Sequence, residues 1–158
     1  MKKQTALPLD RDYCPLLKAA SILGDRWALM IIRESFFGYR RFDDFKQNLH
    51  ISKSVLSNKL KLLVEHDIFA KIPYQTDKQR ERFEYQLTPK GQDLYKVLIG
   101  LIEWGNDHLV PAGQKTVAIL SAHNKKPLHT RLQDATGQLH ELADIRLAIH
   151  RKEEKEKD

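Results

Sequence analysis

The sequence predicts a mainly α-helical protein with a small β component, on three observations. Apolar residues recur at helical spacing through most of the first 110 positions. Residues 68–88 break that pattern and are rich in β-branched and aromatic side chains on both sides of a charged tip. Residues that start and stop helices, namely Asp25, Gly38, Ser52 and the Thr88–Pro89 pair, stand where the periodicity changes.

The elements follow in order. From Cys14, "CPLLKAASILGDRWALMIIRESFFG" reads as two helices broken near Gly24, with Asp25 capping the second and Gly38 stopping it. Trp27, Leu29, Met30, Ile31, Ile32, Phe36 and Phe37 surround that second helix almost completely, which assigns it to the core. In "RRFDDFKQNLHIS", Phe42, Phe45 and Leu49 fall at i, i+3 and i+7, a short helix with one buried stripe and a polar turn at His50. Ser52 then opens an amphipathic helix. Leu56, Leu60 and Leu63 share one side of it, while Ser54, Ser57, Asn58 and Lys61 fall within about 100° of one another on the other.

The runs "IFAKIPYQ" and "RFEYQLT" flank "TDKQRE", a β-hairpin with a basic tip. "LTPKGQDLYKVLIGLIEWGNDHL" reads as one long helix capped by Thr88 with Pro89 at its first position. Its Leu94, Leu98, Leu101, Ile102 and Leu109 make a broader apolar face than one small domain covers, which assigns them to a subunit interface. Beyond "VPAG" the short runs alternate only partly, and "DATGQ" looks like a hairpin turn, so a small β-hairpin appendage is expected there. The resulting division is a flexible segment at 1–13, a principal domain at 14–110, the appendage at 111–150 and a charged tail at 151–158.

Composition narrows the chemistry. With 158 residues, 41% hydrophobic and 30% charged, the chain can bury one ordinary core with an appendage to spare. A formal charge of +6 favours a polyanionic partner, because Lys and Arg displace counterions from phosphate backbones. No apolar run approaches the ~18 residues that span a bilayer, and a cytoplasmic location is expected. Cys14 is the single cysteine, so neither an intramolecular disulfide nor a Cys-rich zinc site can form. His123 and His129 lack an acidic or Cys partner at metal-site spacing, and neither metal nor cofactor is expected. Without a Gly-rich phosphate loop, H-E-x-x-H or G-x-S-x-G, the chain does not read as an enzyme.

Helix, helix, short helix, turn, amphipathic helix and β-hairpin, in that order, make a winged helix-turn-helix. An α-helix fits the DNA major groove, where Asn58 could pair with adenine, Lys61 could reach guanine, and Ser54 and Ser57 could contact base edges or phosphate. Ser52, Lys53 and Ser54 stand at the helix N-terminus, where backbone N–H groups favour a phosphate. Lys78, Arg80 and Arg82 give the hairpin tip the composition of a wing that tracks phosphates or enters the minor groove. The alternative readings, a solvated helix face and a solvated tip, carry equal weight on pattern alone. A winged helix used for protein–protein contact is the rival function.

Taken together, "CPLLKAASILGDRWALMIIRE", "YRRFDDFKQNLHISKSVLSNKLKLLVEHDIFAK" and "RFEYQLTPKGQDL" resemble the HxlR-type transcriptional regulators, relatives of the MarR group, over Cys14 to about Trp104. The resemblance implies a homodimeric, sequence-specific binder of double-stranded DNA acting on a pseudo-palindromic operator, with repression by occupancy the expected mode. On that mapping Arg41, Ser52, Lys53, Ser54, Ser57, Asn58 and Lys61 fall in the helix-turn-helix, and Arg80 and Arg82 in the wing. The chain departs from many members in carrying "TDKQRER" where they have a Pro-containing segment. Several such regulators resemble redox sensors with a cysteine near this N-terminal position, which would give Cys14 an oxidant or small-molecule effector. The alternative is a small side chain packed at the start of the first helix.

Overall fold

The structure, a computed structural model, describes residues 11–75 and 81–147. Most of the expected flexible segment, the charged tail at 151–158, and Lys78 and Arg80 lie outside the described residues. The chain divides into two compact units: Ala19–Thr130, and Met1–Lys18 together with Arg131–Asp158.

Helix α1 spans Pro15–Leu23, and Gly24 ends it with its N–H on the Ala20 carbonyl at 2.8 Å. Helix α2 spans Arg26–Phe36, and the Asp25 side chain caps it by accepting the Trp27 N–H at 2.9 Å. One face of α2 is enclosed, with Ala28, Ile31 and Ile32 fully buried at i, i+3 and i+4. The expectation that α2 is buried all round is corrected at its end, where Phe36 and Phe37 are 43% and 59% exposed. They occupy the last turn and the C-cap, beyond the stretch that α3 and α4 cover. Gly38 follows at φ +94°, a backbone conformation that turns the chain and that side chains oppose.

The next residues form an extended segment absent from the sequence reading. The Arg40 carbonyl accepts the Tyr85 N–H at 2.8 Å, and Arg41 bridges Glu84, so a third short strand segment lies beside the wing. Helix α3 (Phe42–Leu49) and helix α4 (Lys53–Glu65) meet through His50 at φ +49° and a Ser52 cap, whose hydroxyl accepts the Val55 N–H at 3.3 Å. Phe45, Leu49, Leu56, Leu60 and Leu63 are buried as their spacing implied, Phe42 at the start of the α3 stripe is half-buried, and Ile51 in the turn is buried as well. A phenylalanine as enclosed as Phe45, packed on Phe69 with ring centres 6.4 Å apart, is worth about 3–5 kcal/mol against alanine.

Strands β1 (Phe69–Gln75) and β2 (Glu81–Leu87) pair antiparallel from Phe69 opposite Leu87 to Gln75 opposite Glu81. The expected single helix from Pro89 is instead two: α5 (Pro89–Gln92) and α6 (Tyr95–His108). Tertiary contact imposes the break. The Thr88 hydroxyl donates to the Asp67 carbonyl at 2.6 Å and accepts the Gly91 N–H at 3.0 Å, hooking α5 onto the turn that follows α4. A Cβ on Gly91 would stand 2.2 Å from the Ile68 carbonyl oxygen, so only glycine fits. The Leu94 N–H then bonds back three residues to Gly91 at 3.2 Å, a tight turn from which α6 starts afresh.

Residues 111–130 are tied to α6. Asn106 donates to the Val117 carbonyl at 3.0 Å, Glu103 accepts the Thr130 N–H at 2.7 Å, and Lys115 lies 2.9 Å from Asp107. An isolated bridge between Leu120 and Pro127 is the β pairing of this stretch. In the other unit, β3 (Leu132–Gln133) and β4 (Leu139–His140) form the hairpin expected around "DATGQ". Asp134 organises its turn, accepting from the Thr136 hydroxyl at 2.7 Å and from His140 at 3.0 Å. The Thr136 hydroxyl, the His140 ring and the Thr136 and Gln138 N–H groups pull the Asp134 carboxyl down to about 2.

Candidate nucleic-acid interface

Helix α4 presents its polar face to solvent because Leu56, Leu60 and Leu63 hold the opposite face in the core. Ser52, Lys53, Ser54, Ser57, Asn58 and Lys61 are all exposed. Ser52 serves first as the N-cap, and its hydroxyl lies 3.3 Å from that of Ser54. Lys61 reaches forward one turn to Glu65 at 3.7 Å, a loose pair with both side chains largely in water. Lys59 is different in kind: it points toward α2 and lies 3.2 Å from Asp25, tying α4 to the α2 cap. Burial raises the Asp25 carboxyl, but Lys59 and the N–H groups of Trp27 and Ala28 outweigh it and hold the group below its usual range.

A second tie sets the angle of α3, and the sequence reading missed it. Glu34 is 4% exposed on α2, bonded to the neighbouring Arg33 guanidinium and accepting from Asn48 of α3 at 3.0 Å. A carboxylate that deep is held by full pairing, so α2 and α3 share a polar clamp beneath the helix-turn-helix. The signal in the sequence was a glutamate three positions after the core residue Ile31, on the apolar side of α2.

The wing base contributes Arg41 and Arg82. Arg41 is the N-cap residue of α3; its guanidinium lies 4.9 Å from the Tyr74 ring centre and its Nε 3.3 Å from Glu84. Arg82, on β2, lies 3.5 Å from Asp43 of α3. Lys71 sits over the Phe83 ring at 3.8 Å. Asp43, Glu84 and Tyr74, the partners of these cations, were not singled out from the sequence. The structure thus brings the α4 face and the wing-base arginines onto elements that share one core.

A separate exposed surface is apolar. On α6, Val97, Leu101 and Trp104, within about 60° of one another around the helix, are 46%, 48% and 55% exposed, and Leu109 beyond it 68%. Leu98 is buried in the chain's own core, and Leu94 and Ile102 are half-buried, so of the five residues assigned to a subunit interface Leu101 and Leu109 stand open. Val97 and Trp104 join that surface though the sequence reading omitted them, whereas Tyr95, 46% exposed, lies on the other flank of α6. Near the other end of the chain, Leu16 and Leu17 of α1 are also exposed and Cys14 is half-buried, its carbonyl accepting the Lys18 N–H at 3.0 Å. Among the described residues no cluster of His, Cys, Asp or Glu is placed to hold a metal ion.

This architecture has close counterparts. A family model described as HxlR-like helix-turn-helix matches residues 22–112. The uncharacterized HTH-type transcriptional regulator Rv3095 of Mycobacterium tuberculosis is 44% identical over 92 residues, which make up 58% of this chain and 57% of that protein. The chain therefore spans little more than half the length of that relative. Among solved structures, PA1607, a candidate transcription factor, superposes with a TM-score of 0.78 at 27% identity, covering 86% of this chain and 94% of that one. The reduced form of the transcriptional regulator YodB from B. subtilis gives a TM-score of 0.53 at 29% identity, covering 62% of this chain and 97% of that one.

Proposed function

The chain belongs to the HxlR-like helix-turn-helix family, and from that premise we propose that it is a transcriptional regulator that binds duplex DNA sequence-specifically as a homodimer. The observation that carries the reading is the exposed row of Ser54, Ser57, Asn58 and Lys61 on a helix whose other face is locked in the core. Such a helix enters the major groove as a rigid body, with its N-terminal turn and the wing on the flanking backbone. Residues 14–110 supply DNA binding and dimerisation in this reading, and 111–150 are an appended part. A regulator of this kind works in the cytoplasm, and among the described residues no helix is long and apolar enough to cross a membrane.

Two copies would join through the apolar surface of α6, aided by α1, and occupy half-sites about 34–36 Å apart or a multiple of that. Repression by occupying a pseudo-palindromic operator is the mode proposed. The deciding experiment is selection of bound duplexes from a random pool, followed by affinity measurements across salt concentrations. Enrichment of a two-fold motif supports the reading. A failure to prefer any duplex would assign the face to protein contact instead.

The effector proposed is an oxidant. YodB is described in a reduced form, and Cys14, the single thiol, has no partner in its own chain, so a protein disulfide would join two chains. Diamide should then weaken operator binding by the native protein and leave Cys14→Ser unaffected. An equal response in both would remove Cys14 from that role.

A further inference from the structure

At the base of the wing two guanidinium groups line one notch. Its volume is about 220 Å³, and Arg41, Asp43, Tyr74 and Arg82 are among its walls. It lies at the start of α3, where Arg41 occupies the N-cap position and makes no side-chain cap hydrogen bond. The N–H groups of a helix's first turn favour an anion there.

The two arginines are held very differently. Arg41 is braced on three sides: its backbone bridges Glu84, its Nε lies 3.3 Å from the Glu84 carboxylate, and its guanidinium lies 4.9 Å from the Tyr74 ring centre. Glu84 itself is only 23% exposed, so this arrangement is anchored. Arg82 has a looser hold. Its Nη1 lies 3.5 Å from Asp43 Oδ2, with the two side chains 52% and 77% exposed. An ion pair that long and that wet is weak, and another anionic oxygen can replace the carboxylate at little cost.

We propose that this notch seats one DNA backbone phosphate, that Asp43 holds Arg82 in the free protein as a stand-in for that phosphate, and that Glu84 positions Arg41 for the same anion. The inference rests on the DNA-binding reading above. On binding, the phosphate replaces the Asp43 carboxylate on Arg82, and the carboxylate, already largely in water, turns away. Asp43 therefore competes with DNA for Arg82. Because the contact is to phosphate, the competition lowers affinity for every sequence alike and leaves base discrimination unchanged.

The test compares the full chain with Asp43→Asn, Asp44→Asn, Arg82→Gln and the double variant Asp43→Asn with Arg82→Gln. Each is titrated by fluorescence anisotropy against a mixed-sequence duplex and against the selected operator, with circular dichroism confirming the fold. Asp44 is the control, a carboxylate of equal charge in the same helical turn. Asp43→Asn should tighten binding to both duplexes roughly two- to fivefold, the equivalent of an exposed ion pair. In the Arg82→Gln background that gain should vanish. If Asn at position 43 perturbs α3, Asp43→Ser repeats the measurement with another residue suited to a helix start. Equal gains from Asp43→Asn and Asp44→Asn, or a gain that persists without Arg82, would mean that only net charge matters and would overturn the proposal. If the folded wild-type protein binds neither duplex, the DNA-binding reading falls as well; if it binds and the substitutions are merely additive, the phosphate seat alone falls.

Discussion

Among the described residues, helices α4 and α6 each leave one face exposed, and the two faces are chemically opposite. On α4 the open face carries Ser54, Ser57, Asn58 and Lys61; on α6 it carries Val97, Leu101 and Trp104. Water satisfies the first without penalty, so α4 can wait exposed for a polar, charged partner. It does not satisfy the second, and a patch of aromatic and aliphatic side chains in water favours association. The difference separates two roles that a single amphipathic pattern would not distinguish: a face kept free for an intermittent partner, and a face suited to a lasting one.

The apolar face should be the more sensitive to charge. Replacing Leu101 and Trp104 together with Asp leaves the core residue Leu98 in place, and should convert the protein to monomers and abolish tight operator binding. Sedimentation velocity checks the assembly state; a dimeric double variant would move the subunit contact elsewhere. The polar face should respond in discrimination instead. Asn58→Ala should cost about 1–3 kcal/mol against the preferred operator while sparing non-specific binding. Equal losses on operator and scrambled duplex would turn α4 from a reader of bases into a holder of phosphates.

The smallest effect concerns how α4 is held. Asp25→Asn keeps a side chain able to cap α2 but removes the charge facing Lys59. The cost should be under about 1 kcal/mol near neutral pH, since the pair is partly exposed. Its pH dependence has a definite sign. The Asp25 carboxyl is depressed in the folded chain, so its contribution is present above its unfolded value of about 4 and fades as pH falls through the lower folded value. Acid unfolding of the wild-type protein and Asp25→Asn should therefore converge at low pH; a constant gap would assign the effect to capping alone.

Much of this was legible in the sequence because it is local. Asp25 and Ser52 cap helices through bonds to residues two or three positions on, and Leu56, Leu60 and Leu63 declare a buried face by spacing. The polar face of α4 follows from the same arithmetic. What escaped depends on residues far apart in the chain. Arg40 and Arg41 are extended because they pair with residues more than 40 positions away, in a segment too short to show alternation. Leu98 and Leu101 are the same residue type one turn apart on one helix, yet only the first is enclosed, and the packing of α2 against α6 decides it. The carboxylates that hold Arg41 and Arg82 arrive from another strand and another helix, beyond the reach of any local pattern.

The hook formed by Thr88 and Gly91 also constrains how this chain can drift. In the run from Pro89 to Asp93 every residue but Gly91 faces solvent, where a substitution costs comparatively little. Gly91 has its missing side chain directed at a carbonyl of the preceding turn, and no other amino acid lacks a Cβ. A population of variants would therefore carry one invariant column inside a permissive stretch, conserved for the space it leaves empty.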